Sequence, residues 1–566
     1  MKKKNLPLIL FLFFTSWPVF AQIDRNQETL FCNHKIVLDS EGKLLPWYFP
    51  HENAYDHFLH LRWNFIKSNA PDSPCPVPRS NYPQYYFYCA FFDKNGKLEP
   101  DLWMNDIGEK IPNWFENARL YYAYTGDYTA VNLVKHMMDY YLEHGTSASD
   151  FAWPGFPYTT TNAGDTLFRG FTSASRFSLH EIQVDHAGEM GLTYYRMYLL
   201  SGDDKYLKAA IQVANVLAKY VRNGDENKSV WPYTIKMDTG EITSEYGANW
   251  TGCYMLFDNL ISAKTGNVAA FKVAKELVKN FLLNYPMKTG YWTDGHSDTK
   301  INSNTYKSNL SASNMTLCMF DYPEINPDRN KAIPMLIKFT EYNFVFCCAP
   351  LNPGKFGIKG INVKEFSDIP TEPAIFYGAL IVGEQDSFIF KMDYQTARYA
   401  AVCARWYAMS GDTTFKEKAF RSLNFVTYCN DSTGKAFESP FSKGINSWWS
   451  DCYGECPRMF YHAFAGVPEF APPRENHILY SEGILKDIRY EKQKVEYILT
   501  KANDTEYLRL SFNPDIITLS GKRLPLLVKN AKEGYTIRNL KNGDFAITVT
   551  HKNTGRVMIK KSMGKI

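Results

Sequence analysis

Beyond its first fourteen residues the chain holds no apolar run of the length that a bilayer-spanning helix needs, about 20 residues. No membrane span is therefore expected. It also lacks any block of basic residues. Lys and Arg number 63 against 59 Asp and Glu, for a net charge of +4, and that balance gives a nucleic-acid partner no footing. There is no Cys-x-x-Cys pair and no dense cysteine framework of the kind that staples small secreted domains. The 11 cysteines are scattered and odd in number, so at least one is unpaired. Most read as buried thiols acting as small apolar side chains.

The N-terminus has the pattern of an export signal. Lys2, Lys3 and Lys4 precede an apolar run over residues 6–14, and Val19-Phe20-Ala21 offers a cleavage site. Residues 1–21 are expected to be removed before Gln22, and no cysteine follows the cut to carry a lipid. The mature protein is expected to be periplasmic or secreted. A length of 566 residues implies two to four domains, or one large repeat-built domain with a small companion. Aromatic residues make up 16% of the chain, which suits either a large core or a ring-stacking surface.

A helix is expected over 53–68, with Tyr55, Phe58, Leu59, Leu61, Phe65 and Ile66 as its apolar positions. The proline-rich stretch 71–78 then forbids regular structure. A repeat follows. Helix over 113–124 is broken at Thr125-Gly126-Asp127 and resumes over 128–143. The plan returns at Ser201-Gly202-Asp203, between helices over 192–200 and 205–222. It returns again at Thr265-Gly266-Asn267, between 254–264 and 269–283, and at Ser410-Gly411-Asp412, between 396–409 and 415–429. In each hinge the glycine suits a left-handed C-cap, and Asp or Asn can cap the next helix. The wide gap between Gly266 and Gly411 leaves room for a degenerate hairpin through 311–346. Helices near Asn53 and Met459 bring the total to five or six hairpins. Such hairpins stack as a solenoid or close into a ring, and the long connections favour a ring with its loops at one mouth. The expected fold class for residues 22–470 is mainly α, an (α/α)6 toroid of helical hairpins.

After Pro472-Pro473 the character changes. Short β-rich runs cover 490–499, 507–512, 526–528, 535–537 and 545–550, with turns at Gly521-Lys522 and Asn542-Gly543. Residues 474–566 are expected to form a small C-terminal antiparallel β-sandwich domain.

One stretch goes beyond the repeat. Glu181, Asp185 and Glu189 stand at four-residue steps, which on a helix would share one face. Like charges at that spacing destabilise a helix by roughly 0.2–0.5 kcal/mol per pair, and the other hairpins have no matching Asp-His-x-x-Glu. Repetition accounts for the helix and leaves the carboxylates over. Val184-Asp185-His186 with Glu189, the hinge Ser201-Gly202-Asp203 and the continuation Lys205-Tyr206-Leu207 resemble the six-hairpin glycosidases of (α/α)6-toroid fold. Within them the motif is most similar to that of the unsaturated glucuronyl and rhamnogalacturonyl hydrolases. The resemblance implies that Asp185 is the general acid/base and that a second Asp holds the sugar. Asp106 is the candidate for that second role, since it precedes the first hairpin as Asp185 precedes the second. The chain departs from the motif at His186, where the family carries a second acidic or other residue.

Glu189 and His186 complete the catalytic candidates, and His180 and Glu181 flank them as substrate-contacting candidates. Six residues apart on a helix, His180 and His186 would not share a face, so a two-histidine metal site is not expected. Arg169 and Arg176 precede Asp185 in a long loop, and an arginine can bind a uronate carboxylate through two hydrogen bonds. Three aromatic-rich loops supply Trp153; Trp292; and Trp448, Trp449 and Tyr453, which suit the apolar faces of sugar rings. The expectation is an exported enzyme without metal or other cofactor. It would hydrolyse a glycosidic bond of an oligo- or polysaccharide near a uronic acid, through carboxyl acid/base chemistry. Three alternatives stay open: a uronate polysaccharide lyase of toroid fold using groups such as His180, Tyr246, Asn249 and Tyr453; a zinc-thiolate hydrolase like the β-L-arabinofuranosidases, using Cys347, Cys348, Glu455 and Cys456; and a glycan-binding protein without catalysis.

Overall fold

The computed structural model describes residues 33–69, 90–92, 98–100, 107–159, 178–293, 308–345, 377–383, 392–437, 440, 451–527 and 533–561. Among these are twelve helices of eleven residues or more: α1 (Ala54–Asn69), α2 (Ile107–Thr125), α3 (Thr129–His144), α4 (Val184–Ser201), α5 (Asp204–Tyr220), α6 (Thr251–Ser262), α7 (Val268–Asn284), then, after a single-turn α8 (Pro286–Thr289), α9 (Asn309–Asp321), α10 (Arg329–Phe344), α11 (Met392–Ser410), α12 (Thr413–Thr427) and α13 (Cys456–Gly466).

Alternate helices have different jobs. Helices α2, α4, α6, α9, α11 and α13 pack in that order, neighbour on neighbour, and α13 returns to α2. The ring closes. These inner helices are buried on nearly every side, as α2, α4 and α9 show, which is the signature of a helix with partners all round. The outer helices bury one stripe only. In α5 that stripe is Tyr206, Ala210, Val213, Ala214, Val216 and Leu217. The (α/α)6 toroid is present, and five of the chain's tryptophans, Trp63, Trp114, Trp231, Trp250 and Trp292, are fully buried in it. Aromatic content therefore goes largely into the core.

The hinges explain the hairpins. Gly126, Gly202, Gly266 and Gly411 all adopt left-handed φ between 74° and 79°, a conformation that costs glycine nothing sterically. In three of the hinges the preceding hydroxyl (Thr125, Ser201 or Ser410) donates to a carbonyl one turn back and accepts from the amide two residues on. Asp127, Asp203, Asn267 and Asp412 then accept from backbone amides in the first turn of the next helix. Each hinge is thus a paired C-cap and N-cap.

Two boundaries differ from expectation in ways that matter. Helix α2 begins at Ile107 and runs through Pro112, so Glu109 lies on the helix. Glu181 does not lie on α4: residues Glu181–Gln183 form a strand paired with Thr234–Lys236. The three-carboxylate stripe expected there is reduced to Asp185 and Glu189, because this strand pairing captures Glu181 before the helix starts.

The C-terminal segment forms two antiparallel sheets. One orders Lys522–Arg523, Ile516–Leu519, Gly555–Lys560, Lys494–Leu499 and Leu485–Glu491. The other orders Gly534–Asn539, Phe545–His551, Asp504–Leu510 and His477–Ser481. The run expected over 490–499 is split by a turn, and Leu526 makes only an isolated bridge to Tyr535. The sandwich sits under the hinge end of the ring. His477 Nδ1 is 2.8 Å from the carbonyl of Tyr124, and the Tyr490 hydroxyl bonds the carbonyl of Ala123.

Candidate active site

Six inner helices pointing the same way put all their N-termini at one mouth and all their hinges at the other end. Residues at three- and four-residue steps on each then face the axis. Those stripes are Glu109, Asn113 and Glu116 on α2; Glu189, Thr193 and Arg196 on α4; Thr251 and Met255 on α6; Leu310, Asn314 and Asp321 on α9; Arg458 and His462 on α13. They line an axial cavity of about 100 Å³.

The cavity has two tiers. Towards the mouth, the carboxyl of Glu189 accepts from Asn249 Nδ2 at 3.2 Å, and Asn249 in turn accepts from Asn314 Nδ2 at 3.0 Å. Arg398 on α11 donates to Asn314 and forms an ion pair with Glu455. Burial, reinforced by the charge of Glu109, pushes Glu189 up to about 7, against the opposing pull of Arg458, Asn249 and Arg398. Two carboxyls close enough to feel each other in a buried site do not both ionise readily. Glu109 has Lys110 Nζ 3.6 Å away. Burial lowers the affinity of Arg398 and Arg458 for their protons, and the Nε of each has no hydrogen-bond partner among the described residues.

Deeper, the network is ionic and closed. Arg196 joins Glu116 (2.6 Å) and Glu482. Arg119 donates to Glu116 at 2.7 Å, and the Tyr322 hydroxyl donates to Glu482 at 2.6 Å. Tyr480 bonds Asp321, which pairs with Arg405; both distances are 2.8 Å. Glu482 and Tyr480 come from the sandwich, which thereby lines the far end of the cavity. His462 packs on Tyr480 with the rings tilted by 42° and their centroids 4.4 Å apart, and burial followed by four surrounding arginines holds it well below the usual histidine range.

Of the residues singled out from sequence, Glu189 lines this cavity. Asp185, in the first turn of α4, is buried, with His186 Nε2 3.9 Å from its carboxylate. Neither is among the residues lining the cavity. His186 packs at the point where Gly108 of α2 meets α4. Thr159 ties the two helix starts together, its carbonyl accepting from Gly108 (3.2 Å) and its hydroxyl from Gln183 (2.8 Å). Glu181 is held by Ser178, which donates through both N and Oγ, and by Thr243. His180 has a left-handed backbone, and its Nδ1 is 2.7 Å from the Tyr158 hydroxyl. The described aromatics are packed inside. Trp153 stacks on Tyr220 at 4.5 Å, Trp292 is fully buried, and Tyr453 bonds the backbone of Ala436 and Gly434. Asp106, Arg169, Arg176, Trp448, Trp449, Cys347 and Cys348 lie outside the described residues. Glu109, Arg398, Arg458 and Glu482 were not among the sequence candidates. For the three helical residues the one sequence signal is a charge recurring along an otherwise apolar inner helix; Glu482, in the sandwich, has none.

For a metal, the described residues hold no group of three or more His, Cys, Asp or Glu that could bind one. Glu455 is engaged by Arg398, and burial pushes the Cys456 thiol up.

The architecture is that of a six-hairpin toroid with a carboxyl- and arginine-lined axial cavity. The chain is similar in structure to a cellobiose 2-epimerase from Bacillus thermoamylovorans, at 12% identity over 72% of this chain and 97% of that one, with a TM-score of 0.47. It is similar to a family 76 glycoside hydrolase from a bovine Bacteroides thetaiotaomicron strain, at 11% identity over 74% and 78% of the two chains, TM-score 0.47. It is similar also to an α-1,2-mannosidase from Trichoderma reesei, at 11% identity over 73% and 93%, TM-score 0.43. No family model and no curated protein sequence matches the chain.

Proposed function

We propose that this protein is an exported carbohydrate-active enzyme that hydrolyses a glycosidic bond beside a uronic acid, with the sugar entering at the mouth of the toroid. One observation carries the reading: the axial cavity brings the carboxyls of Glu109 and Glu189 together with Arg458, whose Nε has no hydrogen-bond partner among the described residues. Hydrolysis of a glycoside asks for one carboxyl that holds a proton and one that does not. Glu189, raised to about 7, keeps its proton at mildly acidic pH and is the donor to the leaving oxygen or, in an unsaturated uronide, to the vinyl ether. Glu109, beside Lys110, is the ionised partner that directs water. Arg458 supplies N–H groups for the uronate carboxylate, and Arg398 holds Asn314 beneath it. Asp185, one turn nearer the mouth, is the donor that the sequence resemblance implies.

Incubating the full chain with a panel of acidic oligosaccharides, saturated and unsaturated, tests the reading. Products gaining one water, or loss of the ultraviolet absorbance of an unsaturated uronide, support it. A gain in absorbance would replace hydrolysis by β-elimination, and retention of glycans without products would leave binding alone. Glu189→Gln and Asp185→Asn separate the two donors. The variant that removes the true donor loses turnover by at least a hundredfold while still binding the oligosaccharide.

A further inference from the structure

A second cleft lies at the opposite end of the molecule, between the hinge end of the toroid and the sheet containing Gly534–Asn539 and Phe545–His551. Its volume is about 530 Å³. Arg329, Arg405 and Arg538 line it together with Tyr507, Thr536 and Thr548, and among the described residues no carboxylate lines it. We propose that this cleft is a second, non-catalytic site for an acidic oligosaccharide, one whose charge is carboxylate.

Arg405 is the central observation. It is 5% exposed, and one terminal nitrogen holds Asp321 at 2.8 Å while the other, Nη1, has no hydrogen-bond partner among the described residues. A buried guanidinium N–H without an acceptor costs free energy, and this one sits beneath the cleft, where its charge adds to the cationic field of the lining. Its guanidinium lies over the rings of Tyr480 and Tyr507, 5.0 and 5.5 Å from their centroids, so its position is fixed before a ligand arrives. Arg538 is also held in place, by two bonds to Glu469 at 2.8 and 3.3 Å. Arg329 donates to the carbonyl of Met319 at 3.0 Å and makes no ion pair among the described residues. Asp321 and Glu469 thus balance two of the three charges, and Arg329 leaves the cleft cationic.

The remaining lining suits a sugar rather than a bare anion. Thr536 and Thr548 are directly opposed across adjacent antiparallel strands, which places two hydroxyls side by side on the sheet face. Tyr507 adds an aromatic ring. Hydroxyl rows, a ring and fixed guanidinium groups match the hydroxyl edges, apolar face and carboxylate of a uronic-acid residue. The cleft faces away from the mouth, so a chain held there is anchored without occupying the axial cavity, and the inference does not rest on the reaction proposed above.

The test is calorimetric titration of the full chain carrying Glu189→Gln with hexagalacturonate, with cellohexaose as the neutral control. The expected result is binding of the acidic hexamer, weakened at least tenfold or reduced by one site per chain in R329A/R538A. T548W, which fills the cleft without removing charge, gives the same loss. Both variants alter exposed or half-exposed side chains, and retained thermal melting shows that they fold. Unchanged titration in both variants, absence of hexagalacturonate binding in the parent, or equal binding of cellohexaose each overturns the proposal. Because the readout is binding in a chain that lacks the proposed proton donor, failure of the hydrolysis reading leaves this outcome intact.

Discussion

Gly252 of α6 lies directly against Glu189 of α4: a Cβ built at 252 would overlap Cγ of the glutamate and meet the backbone of α4 at 3.2 Å. The same crossing brings Gly188 against Cys253 and Gly191 against Leu256. Small residues at this crossing let the two helices approach, and the approach sets where the Glu189 carboxyl sits. Gly252→Ala is therefore expected to cost about 1–3 kcal/mol of stability and to lower turnover further than melting alone would explain. Comparing kcat with the melting temperature across Gly252→Ala and a control such as Gly290→Ala, where nothing lies within 4 Å, checks this. Equal activity per folded molecule in both would refute it.

The raised carboxyl of Glu189 also makes a prediction about stability. Its ordinary value is 4.5 and the folded value is about 7, so between those limits the unfolded chain has released a proton that the folded chain keeps. Stability contributed by this group is present below about pH 4.5 and falls as pH rises to about 7. At 1.36 kcal/mol per unit the loss approaches about 3 kcal/mol. Glu189→Gln removes that dependence. It is expected to melt higher than the parent at pH 8 and to match it near pH 4.5, which a melting series across that range measures. A variant that melts no higher than the parent at pH 8 would show that the Glu189 carboxyl is not raised in the folded chain.

The hinge glycines separate backbone strain from crowding. Gly202 has φ 75° and nothing within 4 Å of a built Cβ, so Gly202→Ala carries only the left-handed penalty of about 1–2 kcal/mol. Gly266 has the same φ, but its Cβ would come within 2.7 Å of the Phe271 ring, which is itself buried in the core. Gly266→Ala is expected to cost more than Gly202→Ala in chemical denaturation, by the crowding of that ring. Equal losses would assign the whole effect to backbone conformation.

What the sequence made legible follows from how local each cause is. The Thr/Ser-Gly-Asp/Asn hinges act within four residues, through a left-handed turn and a side-chain cap, and the structure repeats the pattern at Gly126, Gly202, Gly266 and Gly411. The hairpins, and hence the ring, could be read from them. Glu181 was misplaced because its fate is decided by pairing with Lys236, some fifty residues away. Glu109 falls outside the helix expected over 113–124, whereas α2 starts at Ile107 and carries Pro112 in its interior. Arg398 and Arg458 look in sequence like any charge on a helix, and only closure of the ring turns them to the axis. Glu482 was the least accessible of all, since nothing in the β-rich tail announces that one of its carboxylates closes the helical cavity.

That carboxylate gives the last prediction. Arg196, from the middle of the chain, is held between Glu116 at 2.6 Å and Glu482, and Arg119 reaches the carbonyl of Ser481 at 2.8 Å. Removing one partner of a buried ion pair strands the other, at a cost of about 3–5 kcal/mol. Glu482→Ala should therefore lower the melting temperature of the toroid, although the residue belongs to the sandwich. Calorimetry of the parent is expected to show one transition, because the two units share this charged interface; two separate transitions, with only the sandwich responding to Glu482→Ala, would reject the coupling. The acid limb supplies a second reading. Attraction to Arg119 and Arg196 outweighs burial and holds Glu116 down at about 2, while Glu482 is lowered chiefly by Arg196 against the effect of burial. Carboxylates lowered in this way contribute stability that is fully present above about pH 4.5 and is lost as pH falls toward 2. Glu482→Ala should flatten that limb, and an unchanged acid transition would show that the pair contributes no net stability.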